Sequence, residues 1–107
     1  MTDTETTSRE ITRRIVEALA PDRIYLFGSR ARGNARTDSD WDVLVVVNAS
    51  LMPGHRRDAV ALRALRGLRA SVDVLVLTRE EFEGRLDVVC SLPATVAREG
   101  KLIYAAA

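Results

Sequence analysis

Trp41-Asp42-Val43-Leu44-Val45-Val46-Val47, residues 41–47, is the stretch on which the architecture turns. Its last five residues are apolar without a break, and four of them are valine. A strand with one wet face alternates apolar and polar side chains. An unbroken run instead asks for cover on both faces, which predicts a sheet layered between helices. Downstream, residues 48–54 read as a loop. Residues 55–69 then place Ala61, Leu65 and Leu68 at helical spacing among arginines. Val72-Asp73-Val74-Leu75-Val76-Leu77 follows as another strand. Strand, helix and strand over 42–77 form a βαβ unit, so the two strands are expected to be parallel with a right-handed crossover.

Upstream, Ile24-Tyr25-Leu26-Phe27 is a short buried strand stopped by Gly28. The polar segment SRARGNARTDSD, residues 29–40, holds at most a short helix near Arg30 and returns the chain antiparallel to the next strand. Ahead of these, Thr7-Ser8-Arg9-Glu10 has capping-box spacing, and Ile11, Ile15 and Leu19 share one helical face up to Pro21. Residues 1–6 are expected to be a polar, flexible tail. Thr78-Arg79-Glu80-Glu81 is a second capping box, opening a helix expected to pass Phe82 and Leu86 until Pro93 interrupts it. A last helix over 94–99, a cap at Gly100 and an edge strand at Leu102-Ile103-Tyr104 complete the chain. The fold class is α/β (α+β), one domain over 1–107, with a mixed sheet and flanking helices.

Composition narrows the function. The chain has 107 residues, 47% hydrophobic and 29% charged, as expected of one globular domain. Sixteen basic residues face fifteen acidic ones, so no global field draws nucleic acid, and any electrostatic work is local. No apolar run reaches the ~20 residues of a membrane helix. The polar, acidic N-terminus does not read as an export signal, and the lone Cys90, expected as a small core residue in Val88-Val89-Cys90, fits a reducing cytoplasm. His55 has no partner at metal-ligand spacing, which argues against zinc.

The predicted topology collects Gly28, Ser29, Asp40, Asp42 and Asp73 at one sheet rim. Asp40 and Asp42, two apart in extended chain, point the same way about 6–7 Å apart. Alone, Asp-x-Asp at a strand start is commonly a solvated turn. Asp73 is harder to dismiss, because it interrupts an otherwise apolar strand. Three carboxylates on one rim repel each other and call for a cation. Carboxylate oxygens suit Mg²⁺, which keeps waters and completes its shell with substrate phosphates. Gly28-Ser29 is a turn whose amides and hydroxyl can donate to phosphate, and Arg30, Arg32 and Arg36 follow it closely.

Gly28-Ser29, ten residues, then Asp40-Trp41-Asp42 reproduces the Gly-Ser-x10-Asp-x-Asp signature of the DNA polymerase β-like nucleotidyltransferase superfamily, which the chain resembles, and Asp73 matches its third carboxylate. The stretch GSRARGNARTDSDWDVLVVV, residues 28–47, is similar to the minimal nucleotidyltransferases, one-domain antitoxins that occur beside HEPN-domain toxins. Arg98-Glu99-Gly100-Lys101-Leu102-Ile103-Tyr104 resembles their closing helix-to-strand segment. The likeness runs from about Ile24 to Tyr104.

The resemblance implies the polymerase β-like nucleotidyltransferase fold, with Asp40 and Asp42 holding two Mg²⁺ ions. Asp73 would complete the metal site and help deprotonate the acceptor. Gly28, Ser29 and Arg30 would bind the nucleotide triphosphate. It further implies transfer of AMP from ATP to a hydroxyl, typically a tyrosine, of a cognate HEPN toxin, with release of pyrophosphate. Trp41 is bulkier than the aliphatic residue usual between the two carboxylates, and it is expected to face the opposite side of the sheet beneath a helix. A partner protein is expected to complete the cleft, with neither a membrane nor nucleic acid involved. Two other readings stand beside this one. One is a non-catalytic antitoxin acting by stoichiometric binding. The other is nucleotide transfer to a small hydroxylated molecule such as an aminoglycoside.

Overall fold

The valine run forms one of the two inner strands of a four-stranded sheet in the computed structural model, which describes residues 3–36 and 39–106. In chain order the elements are α1 (Asp3–Leu19), β1 (Arg23–Phe27), α2 (Ser29–Arg32), β2 (Trp41–Val47), α3 (Gly54–Ala64), β3 (Val72–Thr78), α4 (Arg79–Glu83), α5 (Leu92–Glu99) and β4 (Lys101–Ala105). The sheet order is β3-β2-β1-β4. β2 and β3 are parallel, whereas β1 is antiparallel to both β2 and β4, as the connections require.

Both faces of β2 are covered. On one, Trp41, Val43, Val45 and Val47 pack with Ile11 and Ile15 of α1 and with Ala61 and Leu65 from α3 and the turn after it. On the other, Leu44 and Val46 pack against Phe82 of α4 and Val96 of α5. Val43, Leu44, Val45 and Val46 are fully buried, and burial of each such side chain is worth about 1.5–3 kcal/mol relative to exposure. Trp41, 2% exposed, lies on the α1 face as its place in the alternation demands. Among the described residues no helix is long and apolar enough to cross a membrane.

Several boundaries differ from the sequence expectation. α1 begins at Asp3 rather than at the Thr7 cap, so residues 3–6 of the expected tail are helical, and residues 1 and 2 lie outside the described set. The Thr7 spacing is overridden because no glycine or proline stops the helix from running further back. α3 stops at Ala64, short of residue 69, and Gly67 adopts a φ of 91° in the turn that follows. The Thr78 capping box forms as expected, but α4 ends at Glu83. Pro93 does not interrupt that helix. It lies in the first turn of α5, where a missing N–H is harmless, and Ser91 Oγ caps the turn by accepting from the Ala94 amide at 3.2 Å.

Cys90 is a correction: it is exposed, with a φ of 70°. The 84–90 connection is a series of turns, and its Val88 and Val89 are exposed as well, so apolar neighbours in sequence did not place the thiol in the core.

At the edge of the sheet, the amide and carbonyl of Val76 on β3 are both engaged by α3. Asp58 Oδ1 accepts from the Val76 amide at 2.7 Å, and Arg57 Nη1 donates to the Val76 carbonyl at 3.3 Å. Arg57, only 5% exposed, also forks onto Glu81 at 2.7 and 3.1 Å.

Candidate active site

Gly28 ends β1 and opens α2 with φ 70° and ψ −152°, values that only glycine adopts without strain. Space imposes the same choice, since a Cβ at this position would collide with Asp42 Oδ2. The backbone of the turn is therefore seated directly against the Asp42 carboxylate. The Gly28 carbonyl accepts from the amides of Ala31 at 3.1 Å and Arg32 at 3.2 Å, and Gly33 closes the turn at φ 80°.

Asp42 stands opposite Phe27 of β1 and beside Asp73 of β3. Register partners on adjacent strands project to the same face, so both carboxylates share the face carrying Leu44 and Val46. Asp40, exposed, lies two residues before Asp42 in the chain that leads into β2. The Asp42 carboxyl is pushed above the usual carboxylate range, first by desolvation and then by the charges of Asp73 and Asp40. Arg32 opposes this with a weaker downward pull. Gly28, Ser29, Asp40, Asp42 and Asp73 thus meet at one rim.

Among the described residues no ion pair engages Asp40, Asp42 or Asp73. Nor, among those residues, do three His, Cys, Asp or Glu side chains gather into a metal-binding group. The carboxylates feel one another's charge without being drawn to a common point. Their chemistry nevertheless fits a hard divalent cation: oxygen donors, mutual repulsion, and no paired arginine to satisfy.

The three arginines after the glycine turn behave differently from one another. Arg32 is exposed and electrostatically coupled to Asp42. The Arg36 amide donates to Ser39 Oγ at 2.8 Å. The Arg30 guanidinium carbon lies 4.4 Å from the centroid of the Trp41 ring, and Nη2 donates to the Ser39 carbonyl at 2.8 Å. Trp41 alternates with Asp42 along β2, which puts this stack on the face away from the carboxylates. The sequence offers no periodic signal for a contact between residues eleven positions apart across an irregular loop. A separate open groove of about 790 Å³ lies at the other end of β2 and β3, with Asn48, Met52, Arg57 and Glu81 in its lining.

Comparison with known proteins bears on the fold and the family. No curated protein matches the chain. Among solved structures, a Sulfolobus solfataricus protein described as a nucleotidyltransferase aligns with a TM-score of 0.61 at 25% identity, covering 98% of this chain and 89% of the other. A toxin–antitoxin structure with AMP-PNP aligns with a TM-score of 0.66 at 23% identity, covering 92% and 73%. A variant of the toxin–antitoxin MntA–HpeT aligns with a TM-score of 0.63 at 18% identity, again covering 92% and 73%. These likenesses establish the shared fold. Residues 8–104 match the family profile described as the nucleotidyltransferase domain, a span that takes in the glycine turn and all three aspartates, and the chain therefore belongs to the nucleotidyltransferase family.

Proposed function

We propose that the protein is a Mg²⁺-dependent nucleotidyltransferase that acts as an antitoxin, transferring AMP from ATP to a tyrosine hydroxyl of a cognate HEPN toxin. The observation that carries this reading is the seating of Gly28 against the Asp42 carboxylate, with Asp73 in register beside it. A phosphate-approaching turn and paired carboxylates on one rim are what nucleotidyl transfer needs. The toxin–antitoxin likenesses support the biological context, one of them being bound to AMP-PNP and another carrying two aspartate-to-glutamate changes spaced two residues apart.

Asp40, Asp42 and Asp73 would hold Mg²⁺, which when bound neutralises the triphosphate and the developing charge. The Gly28 and Ser29 turn orients the phosphate chain. Asp73, exposed at the rim, accepts the proton of the acceptor hydroxyl as its oxygen attacks the α-phosphorus. A new phosphorus–oxygen bond forms on the acceptor, the α–β phosphoanhydride bond breaks, and pyrophosphate leaves. Arg32 is the cation nearest in effect to Asp42 and is suited to meet phosphate oxygens at the same rim.

The test is incubation of the chain with α-labelled ATP, Mg²⁺ and the HEPN protein encoded beside it. Label on the partner, lost with Asp42→Ala and with chelator, is the expected result. No label, or equal label with Asp42→Ala, rejects the enzymatic reading. One observation favours a second reading: the described carboxylates are not gathered into a metal-binding group. A stoichiometric antitoxin needs no such group, and it would be supported if the Asp40→Ala, Asp42→Ala double variant still protected cells from the toxin.

A further inference from the structure

Asp40 is exposed and belongs to no helix or strand, yet the reaction above needs its carboxylate held beside Asp42. What fixes it is visible on its two flanks. The carbonyl of Ser39, before it, accepts from Arg30 Nη2 at 2.8 Å, and the ring of Trp41, after it, lies beneath the same guanidinium at 4.4 Å. Trp41 is itself anchored, buried in the core and donating its amide to the Ser71 carbonyl at 2.8 Å. Arg30 sits on α2, whose preceding turn is seated against Asp42. One guanidinium thus ties both neighbours of Asp40 to the turn that opens the site, from the face opposite the carboxylates.

We infer that Arg30 is a positioning residue, which splints residues 39–41 so that Asp40 is presented for divalent-cation binding beside Asp42, instead of contacting nucleotide itself. The inference rests on the metal-dependent reading above. It needs arginine in particular. A planar guanidinium can stack on indole and donate sideways to a carbonyl at once, whereas a lysine ammonium on a flexible stem cannot hold both.

The experiment compares the full wild-type chain with Arg30→Gln and Arg30→Lys, using Mn²⁺ alone as the probe. Metal binding is followed by electron paramagnetic resonance, and amide hydrogen exchange at residues 39–41 is read on metal-free samples. In Arg30→Gln, exchange at 39–41 is expected to accelerate while β2 residues 43–47 stay protected. Mn²⁺ affinity is expected to fall about tenfold or more, the usual effect of removing a group that orients a metal ligand. Arg30→Lys, which keeps the charge, is expected to recover little of either. Unchanged exchange and affinity in a folded Arg30→Gln overturn the inference, as does an Arg30→Lys chain that matches wild type. A wild-type chain that binds no Mn²⁺ overturns the metal-dependent reading and this inference with it, which separates the two failures.

Discussion

At the starting end of β2 and β3, Asp42 and Asp73 lie side by side with Asp40 close by, and among the described residues no ion pair relieves them. At the finishing end of the same two strands, buried Arg57 forks onto Glu81, and Glu81 also accepts from the Thr78 amide at 2.8 Å. The Arg57 guanidinium, followed by the Thr78 amide, holds the Glu81 carboxyl down at about 2, whereas desolvation and like charges push that of Asp42 upward. One end is matched and stabilises the fold. The other is mismatched, with no described counter-ion, and is the end to which the proposed function assigns the metal and nucleotide. On the proposed function the same strand pair carries stability and chemistry at opposite tips, and each can be disturbed separately.

The largest expected effect is at the acidic end. Asp42→Ala should lower nucleotidyl transfer by about a thousandfold or more, of the order seen when a preorganised electrostatic group is lost. This is measured with labelled ATP on protein whose circular dichroism is unchanged. Gly28→Ala should follow. Its methyl group would displace the Asp42 carboxylate, lowering transfer about a hundredfold, and the strained backbone should lower stability by about 1–3 kcal/mol in urea melts. If it is as active as wild type, the close seating of turn and carboxylate does not matter.

Arg57→Ala probes the opposite tip. Loss of the fork and of the Val76 carbonyl bond should destabilise the fold by about 2–3 kcal/mol. Transfer per folded molecule should be retained, and a selective loss of activity without loss of stability would break the division of labour drawn above.

The two tips should also respond to acid with opposite sign. Glu81 is more acidic folded than unfolded, so its contribution is fully present above its ordinary value of 4.5 and is lost as pH falls towards about 2. Glu81→Gln should flatten that part of the urea-midpoint profile. Asp42 has a raised folded pKa, so the folded state holds its proton more tightly than the unfolded chain and stability declines as pH rises past its ordinary 3.8. The smallest expected effect follows: Asp42→Asn should raise the neutral-pH melting temperature by ~2–4 °C while abolishing transfer.

Much of this arrangement is legible in the residues. The unbroken run from Val43 to Val47 requires two covered faces, and the strand–helix–strand order requires β2 and β3 to be parallel, so Asp42 and Asp73 fall on one rim before any coordinate is known. Helix ends are less legible. Thr7 and Thr78 carry equally good capping patterns, but only Thr78 has a strand immediately before it to enforce the stop. Arg30 and Cys90 are not legible at all. The first depends on which face a side chain of the short helix α2 crosses to, and the second on a chain of turns that carries Val88 and Val89 out into solvent.

The engagement of Val76 by α3 reaches beyond local bonding. β3 is an outer strand of largely apolar side chains, the kind of edge on which a second chain can lay a strand of its own. Asp58 and Arg57 occupy its outward amide and carbonyl, and Glu81 occupies the next outward amide, that of Thr78. Strand addition there would have to strip away charged side chains first. These bonds thus guard a concentrated solution of the protein against intermolecular β-pairing along that border.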